Sequence, residues 1–243
     1  MQTRALSYTT LSRLWSAANP ESGTSGYAYY ASGDLRTRTD ARNVVSSFTY
    51  DALHRMKTKA YSDGTPTVTY EYYLTSSGSS PNIGQLNSVS TTGLASSVYN
   101  LYDNLGHVKT STHSVSGLTG SYAFGYQWWL NDGLKEIDYP SGRVVKYDVD
   151  DAGRVKKVYG TSPSNWTYVD MTATGITNPY AADGRLAQMQ LGNGLYETRE
   201  YHTPGTTTLY KLGTSAAGSQ RLKLEYNFHA TENQWESHQP GDH

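Results

Sequence analysis

Two indoles and three carboxylates crowd one short stretch near the middle of the chain. Gly125-Tyr126-Gln127-Trp128-Trp129-Leu130 runs into Asn131-Asp132-Gly133-Leu134-Lys135-Glu136-Ile137-Asp138-Tyr139-Pro140. Flat aromatic faces with polar edges suit pyranose rings, so Tyr126, Trp128 and Trp129, with Trp166 further on, form a candidate sugar-stacking set. Asp132, Glu136 and Asp138 are candidate acids for glycoside hydrolysis, which needs two carboxyl groups at a fixed separation that chain spacing does not supply. Asp148, Asp150 and Asp151 extend that acid set. Each feature also has a plainer reading. Alternation along a strand sends one of two adjacent tryptophans inward and the other outward, and acids in strands and turns are ordinarily solvated.

Other chemical signatures are missing from the sequence. It holds no Gly-x-Ser-x-Gly elbow, no Ser-x-x-Lys, no phosphate-cradling glycine loop with lysine and no His-Glu-x-x-His. The seven histidines show no metal-ligand spacing. His54 and His107 fall in repeat slots, so no metal or cofactor is expected. Asn165-Trp166-Thr167 matches a glycosylation acceptor, which matters only in a secreted eukaryotic protein.

The elements that must position these residues come from a repeat. Tyr147-Asp148-Val149-Asp150-Asp151-Ala152-Gly153-Arg154-Val155 has counterparts beginning at Tyr50, Tyr102 and Tyr180, with weaker copies at Tyr8, Tyr30 and Tyr126. The period is about twenty residues, with insertions such as the Ser/Gly-rich run Thr75 to Pro81 and residues 161–179. Between turns the sequence alternates, as in Val44 to Tyr50 and Thr65 to Tyr72, with β-branched and aromatic residues that fit a pleated surface. The Asp-x-x-Gly-Arg stretches supply turn chemistry. Each copy therefore predicts strand, turn, strand, and the fold class is all-β: repeated hairpins forming one continuous, strongly curled antiparallel sheet.

At Tyr50-Asp51, Tyr102-Asp103 and Tyr147-Asp148 the chain resembles the Rhs, or YD-repeat, proteins, and the likeness runs over about residues 4 to 230. The resemblance implies hairpins joined into a long sheet that spirals into a shell around a toxin or other cargo, or into the barrel of cell-surface adhesion proteins. It also implies a secreted or cell-surface bacterial parent. The self-cleaving aspartyl segment and variable toxin end of that family are not visible, so neither activity carries over.

Composition agrees with a sheet that is wet at its aromatic edges. Twenty-two tyrosines stand against three phenylalanines, placing rings where one edge meets water or a polar partner. The formal charge of −1 and pI near 6.6 give no electrostatic case for nucleic acid or an anionic membrane. There is no cysteine, and no window approaches a signal peptide or membrane span. Residues 1–231 are expected to form the array, read as a fragment of a longer one, with two unpaired edge strands that invite self-association. Residues 232–243 read as an atypical tail. One codon choice for Gln234 to His243, shifted by one base, restores a repeat-like pattern, which suggests a slipped reading frame.

Three functions remain open at this stage. The chain is a scaffold that encloses or displays a partner, a carbohydrate-binding surface of Tyr and Trp rows, or a glycan-directed hydrolase with an unrecognised acidic site.

Overall fold

A single five-residue turn recurs through the chain. In Asp51–Arg55 the Asp51 N–H donates to the Arg55 carbonyl at 2.9 Å and the His54 N–H donates to the Asp51 carbonyl at 3.0 Å. The same two bonds close Thr9–Arg13, Tyr30–Asp34, Asp103–His107, Trp129–Gly133, Asp150–Arg154 and Ala181–Arg185. The fourth residue of each is left-handed: Gly33, Gly106, Gly153 and Gly184, with Ser12, His54 (φ 61°) and Asp132 (φ 64°) where glycine is absent. A left-handed residue after a tight turn gives a bulged hairpin. Accordingly the register shifts just before the turn at Ser7/Tyr8, Ala28/Tyr29, Thr49/Tyr50, Gln127/Trp128 and Asp148/Val149.

The computed structural model describes residues 3–74, 81–202, 206–217, 220–228 and 235–238, in two compact units, Met1–Phe124 and Gly125–His243. All described regular structure is strand, and every pairing is antiparallel between chain neighbours. In the first unit β1 (Ala5–Tyr8), β2 (Leu14–Asn19), β3 (Gly23–Tyr29), β4 (Leu35–Thr39), β5 (Val45–Tyr50), β6 (Met56–Tyr61), β7 (Val68–Tyr72), β8 (Leu86–Thr91), β9 (Ala95–Tyr102) and β10 (Val108–Val115) pair in sequence. β11 (Tyr122–Trp128) leads into β12 (Leu134–Asp138), β13 (Val144–Val149), β14 (Val155–Ser162), β15 (Trp166–Asp170), β16 (Gln188–Leu191), β17 (Tyr196–Tyr201), β18 (Thr207–Gly213), β19 (Gln220–Phe228) and β20 (Trp235–His238), again paired in order.

The turns fix the alignment of the copies. Tyr8, Tyr29, Tyr50, Tyr72, Tyr102, Tyr180 and Tyr201 each stand immediately before a turn. Spacing alone puts Tyr147 and Tyr126 at the head of their copies; the turns put Val149 and Trp128 there, leave Tyr147-Asp148 inside β13, and make Asp150 the turn aspartate. Likewise Tyr30 is the first turn residue, not the one before it. A tyrosine two positions early shares the same strand face, which is why it imitates the true position. Residues 161–179 are partly strand, since β15 lies within them. The Thr75–Ser80 run lies outside the described residues, as do 232–234 and 239–243 of the tail, while Trp235–His238 pairs with β19.

Packing is thin. Among the described residues six apolar side chains are buried: Ala17, Phe48, Tyr102, Val145, Met171 and Leu209. So few cannot carry the fold by core burial, and the hairpins are held to one another at the joints between copies. The Tyr29 hydroxyl donates to the Leu14 carbonyl at 2.9 Å, Tyr72 to Met56 at 3.2 Å and Tyr102 to Leu86 at 2.6 Å; Tyr180 donates to Val155 and Tyr201 to Leu186. Each acceptor is the first residue after the preceding turn. The turn's last residue, where it is arginine, lies over the same ring: Arg13 on Tyr29, Arg55 on Tyr72 at 4.1 Å, Arg154 on Tyr180 at 4.5 Å and Arg185 on Tyr201 at 3.9 Å. Where the turn ends in arginine, the joint thus combines a hydrogen bond with a cation–π contact; at Tyr102 the hydrogen bond stands without one.

Tyr102 is the most buried of these rings, 6% exposed, and burial pushes its hydroxyl up to about 12, with Tyr99 and Tyr73 adding to the shift. Replacing it by phenylalanine removes the donor to Leu86 and should cost about 1–2 kcal/mol, lowering Tm by about 2–8 °C. An unfolded tyrosine ionises near 10. Between about pH 10 and 12 the unfolded chain therefore gives up a proton that folded Tyr102 keeps, and stability falls as pH rises. Tyr102→Phe lacks that loss, so the gap between the two proteins should narrow from pH 9 to pH 11.5 in urea midpoints; a constant gap would contradict this assignment.

Candidate functional site

Strand pairing collects two of the three sequence-predicted acids. Gln127 on β11 stands opposite Glu136 on β12, and its Nε2 donates to Glu136 Oε1 at 2.8 Å. Lys146 on β13, opposite Glu136 on the other side, brings its Nζ within 3.0 Å of Oε2. Asp138 follows two positions along the same face, opposite Gly125. A Cβ at position 125 would lie 2.7 Å from Asp138 Oδ2, so the bare glycine is what admits the carboxyl. Although Asp138 is exposed as a residue, partial desolvation of its carboxyl, then the charge of Glu136, raise its pKa against an opposing pull from Lys146. The Glu136 carboxylate in turn raises Lys146. Asp132 sits apart from this strand cluster, in the turn.

Chemically the arrangement is two carboxyls on one strand face beside an ammonium. Glycoside hydrolysis places its carboxyls about 5–9.5 Å apart with the sugar between them. Asp148 lies on β13, and Asp150 and Asp151 are in the following turn. There the Arg154 side chain, then its backbone N–H, hold the Asp150 carboxyl below the usual range.

The aromatic candidates divide. Tyr126 and Trp128 share one side of β11 with centroids 6.4 Å apart and planes at 29°, a stacked pair. Trp129 begins the turn, and its Nε1 donates to the Tyr147 carbonyl at 3.1 Å while Lys135 Nζ stands 4.8 Å from the indole. It is occupied in joining hairpins, as Tyr30 is through its hydroxyl to Phe48. Trp166 opens β15, four strands from β11, and so does not join Tyr126 and Trp128.

Trp166 lies across Gly160, where a Cβ would meet its Nε1 at 2.6 Å, with the Arg143 guanidinium 5.1 Å from its ring. Beside it Asp148, Lys157, Tyr159, Asn165 and Thr167 line an open cleft of about 450 Å³. The Tyr159 hydroxyl reaches Asp148 at 3.4 Å, and Lys157 pairs with Asp170 at 3.0 Å. Sequence reading names Trp166 and Asp148 separately but does not bring them together with Lys157, Tyr159, Asn165 and Thr167, because the group meets only through the registers Asp148↔Lys157 and Tyr159↔Thr167. The signal available was alternation: Lys157 and Tyr159 are two apart and share a face.

The histidines serve the turns and strands. His54 Nδ1 lies 2.6 Å from Asp34, His107 Nδ1 2.9 Å from Asp103, and His113 Nδ1 2.8 Å from Ser97. Among the described residues no three His, Cys, Asp or Glu side chains converge to hold a metal. His229 and His243 lie outside the described residues.

Comparison with known proteins accords with the hairpin geometry. Residues 29–67 match the family model described as RHS Repeat. The crystal structure of TcdB2-TccC3 superposes with a TM-score of 0.76 at 11% identity, covering 93% of this chain and 12% of that one. The Photorhabdus luminescens Tc holotoxin pore superposes at 0.73 with 11% identity, over 90% of this chain and 11% of that one. At such identity the likeness is one of fold, and this chain spans about an eighth of the length of those it matches. No curated protein matches the chain.

The acid cluster makes a pH-dependent expectation. A raised pKa means that the folded state gains stability as pH falls through it and forgoes that stability above. Asp138→Asn removes the charge facing Glu136 and should be more stable than the parent at pH 7. The two should converge below about pH 4, where the unfolded carboxyl is protonated as well. Thermal melts across pH 3.5 to 7 decide it; an asparagine variant less stable at pH 7 would show that ionised Asp138 is instead a favourable partner of Lys146.

Proposed function

We propose that this Rhs-repeat chain is a scaffold: a stretch of wall, belonging to a secreted or cell-surface parent, that encloses or displays a partner and performs no reaction of its own. The observation that carries the reading is the joint. Tyrosine hydroxyls, arginines and turn carbonyls, the groups with the most directional chemistry, are spent on holding one hairpin to the next. Enclosure needs curvature, and the bulges that recur beside many of the turns favour it. A bulge increases local twist and bends its strand, and here bulges recur on strands leading into the same type of turn. In line with the Rhs resemblance, the enclosed partner is proposed to be a toxin or other cargo.

A second reading rests on the Trp166 cleft. One indole with Asp148, Asn165 and Thr167 around it offers a stacking face and hydrogen-bonding groups of the kind a sugar ring uses. It places a glycan on the wall without making the wall an enzyme.

Solution scattering tests the first reading. Twenty strands laid flat would extend roughly 90 Å across the sheet. A curled wall should give a markedly shorter maximum dimension with the profile of a bent shell, whereas a flat-slab profile at the full extent would remove enclosure. A glycan array tests the second: binding abolished by Trp166→Ala and retained by Trp128→Ala supports the cleft, and a blank array with folded protein ends it.

A further inference from the structure

One joint inverts the charge that others share. At four joints the turn's last residue is an arginine whose guanidinium lies over the tyrosine before the following turn: Arg13 on Tyr29, Arg55 on Tyr72, Arg154 on Tyr180 and Arg185 on Tyr201. The Tyr30–Asp34 turn, which precedes Tyr50 in the same series, ends instead in a carboxylate. Its neighbours differ too. Tyr30 opens the turn, and its ring stands at 89° to that of Tyr50 with centroids 6.3 Å apart. His54, in the left-handed place of the next turn, reaches back to Asp34 Oδ2 at 2.6 Å. Tyr30, Ser32, Asp34, Tyr50, Asp51 and His54 together line an open cleft of about 490 Å³. Among the described residues no arginine or lysine lies over the Tyr50 ring.

The walls of this cleft are fixed and its charge is negative. Tyr30 is held by its hydroxyl, which donates to the Phe48 carbonyl at 3.0 Å. The hydrogen bonds of His54, then of Ser32, keep Asp34 below the usual carboxylate range, so it is ionised at neutral pH. Both bonds fall on Oδ2, and Oδ1 accepts from no described residue. Asp51 is already occupied by Arg55. Burial, then the Asp34 charge, push the Tyr50 hydroxyl up, so carboxylate and ring lie close enough to act on one another. Elsewhere the chain supplies a planar cation to such a ring, with its face on the aromatic and its edge on a carboxylate. We propose that the cleft between the Tyr30–Asp34 and Asp51–Arg55 turns binds the guanidinium group of a ligand, with Tyr50 on its face, Tyr30 as the second wall and Asp34 Oδ1 accepting from its edge. An ammonium, a compact point charge, cannot meet the ring and the carboxylate in this way. The array thus closes four joints with its own arginines and keeps this one for a guanidinium from outside. Neither enclosure of a cargo nor binding of a glycan enters the argument.

The probe is N-acetyl-arginine amide, titrated into the full chain while backbone amide NMR shifts are followed. Saturable shifts are expected at Ser32, Asp34, Tyr50 and His54. N-acetyl-citrulline amide, with the same shape and no charge, should bind at least about fivefold more weakly, within the range of one cation–π contact. Tyr50→Leu should weaken the arginine probe by a similar factor. Asp34→Arg lets the chain fill the cleft itself, as at the four other joints, and should fold and bind no probe. The same spectra report folding, and either variant decides the matter where the other does not fold. Butylguanidinium separates the sources: affinity at or above that of the amide assigns the site to a free small cation, and weaker affinity assigns it to arginine within a peptide. Absence of saturable shifts in the two turns would overturn the proposal. So would equal affinity for the citrulline compound, or an Asp34→Arg protein that binds the probe as the parent does.

Discussion

A tyrosine hydroxyl reaching back to the carbonyl that follows the previous turn is the contact on which this architecture depends. It is made at an edge where a ring must be covered on its face and satisfied at its tip, conditions that phenylalanine does not meet. Five of the twenty-two tyrosines, Tyr29, Tyr72, Tyr102, Tyr180 and Tyr201, are used in this way, which contributes to their excess over three phenylalanines. With so few buried apolar side chains, the ordinary source of cohesion is weak, and neighbouring hairpins are specified by contacts that repeat. Stability in such an array is a sum over joints, each between neighbours.

The arginine of the joint is bound on two sides. Arg154 donates from Nε to Asp150 Oδ2 at 2.8 Å while its guanidinium lies 4.5 Å from the Tyr180 ring, and Arg55 does the same between Asp51 and Tyr72. A planar guanidinium presents an edge to a carboxylate and a face to a ring at once, which an ammonium does not. The turn aspartate also accepts from backbone N–H groups two and four residues on, as Asp51 does from Leu53 and Arg55. One carboxylate therefore shapes the turn and aims the arginine at the next copy. Local turn chemistry and inter-repeat packing are the same set of atoms.

That economy explains what was legible in the sequence. Hairpins, their turn residues and the all-β class follow from alternation and from Asp-x-x-Gly-Arg, because those signals are local. Alignment within a copy was harder: Tyr147-Asp148 carries the right letters, but the turn bonds begin at Asp150. A bulge shifts register before the turns at Tyr8, Tyr29, Tyr50, Trp128 and Val149 but not before Asp40–Val44, Tyr139–Arg143 or Leu191–Leu195, and no letter in the sequence marks where the shift falls. The candidate site was half visible for the same reason. Glu136 and Asp138, two apart on one strand, meet as alternation requires, whereas the cleft beside Trp166 is assembled from β13, β14 and β15 and depends on registers across three strands. Trp129 looked like a ligand platform because indoles are versatile; its Nε1 is committed to the Tyr147 carbonyl.

The two units dress their sheets differently while keeping the joint. In the first, Thr49, Thr58, Thr69, Ser90, Ser96 and Ser114 stand in register as a row of hydroxyls across six strands, with Thr49 to Thr58 at 2.6 Å and Ser96 to Ser114 at 2.8 Å. In the second, Glu136 with Lys146 and Lys157 with Asp170 make charged cross-strand pairs. Side chains standing on a face can change from hydroxyl to charge without disturbing the rim, because cross-strand pairs each contribute only about 0.2–1 kcal/mol. The rim does not have that freedom: a residue placed one position away from the tyrosine slot points to the opposite side of the strand, and its hydroxyl loses the carbonyl. Variation is therefore tolerated on the faces and constrained at the turns. That asymmetry lets one backbone solution carry an uncharged surface in one stretch and an ionic one in the next.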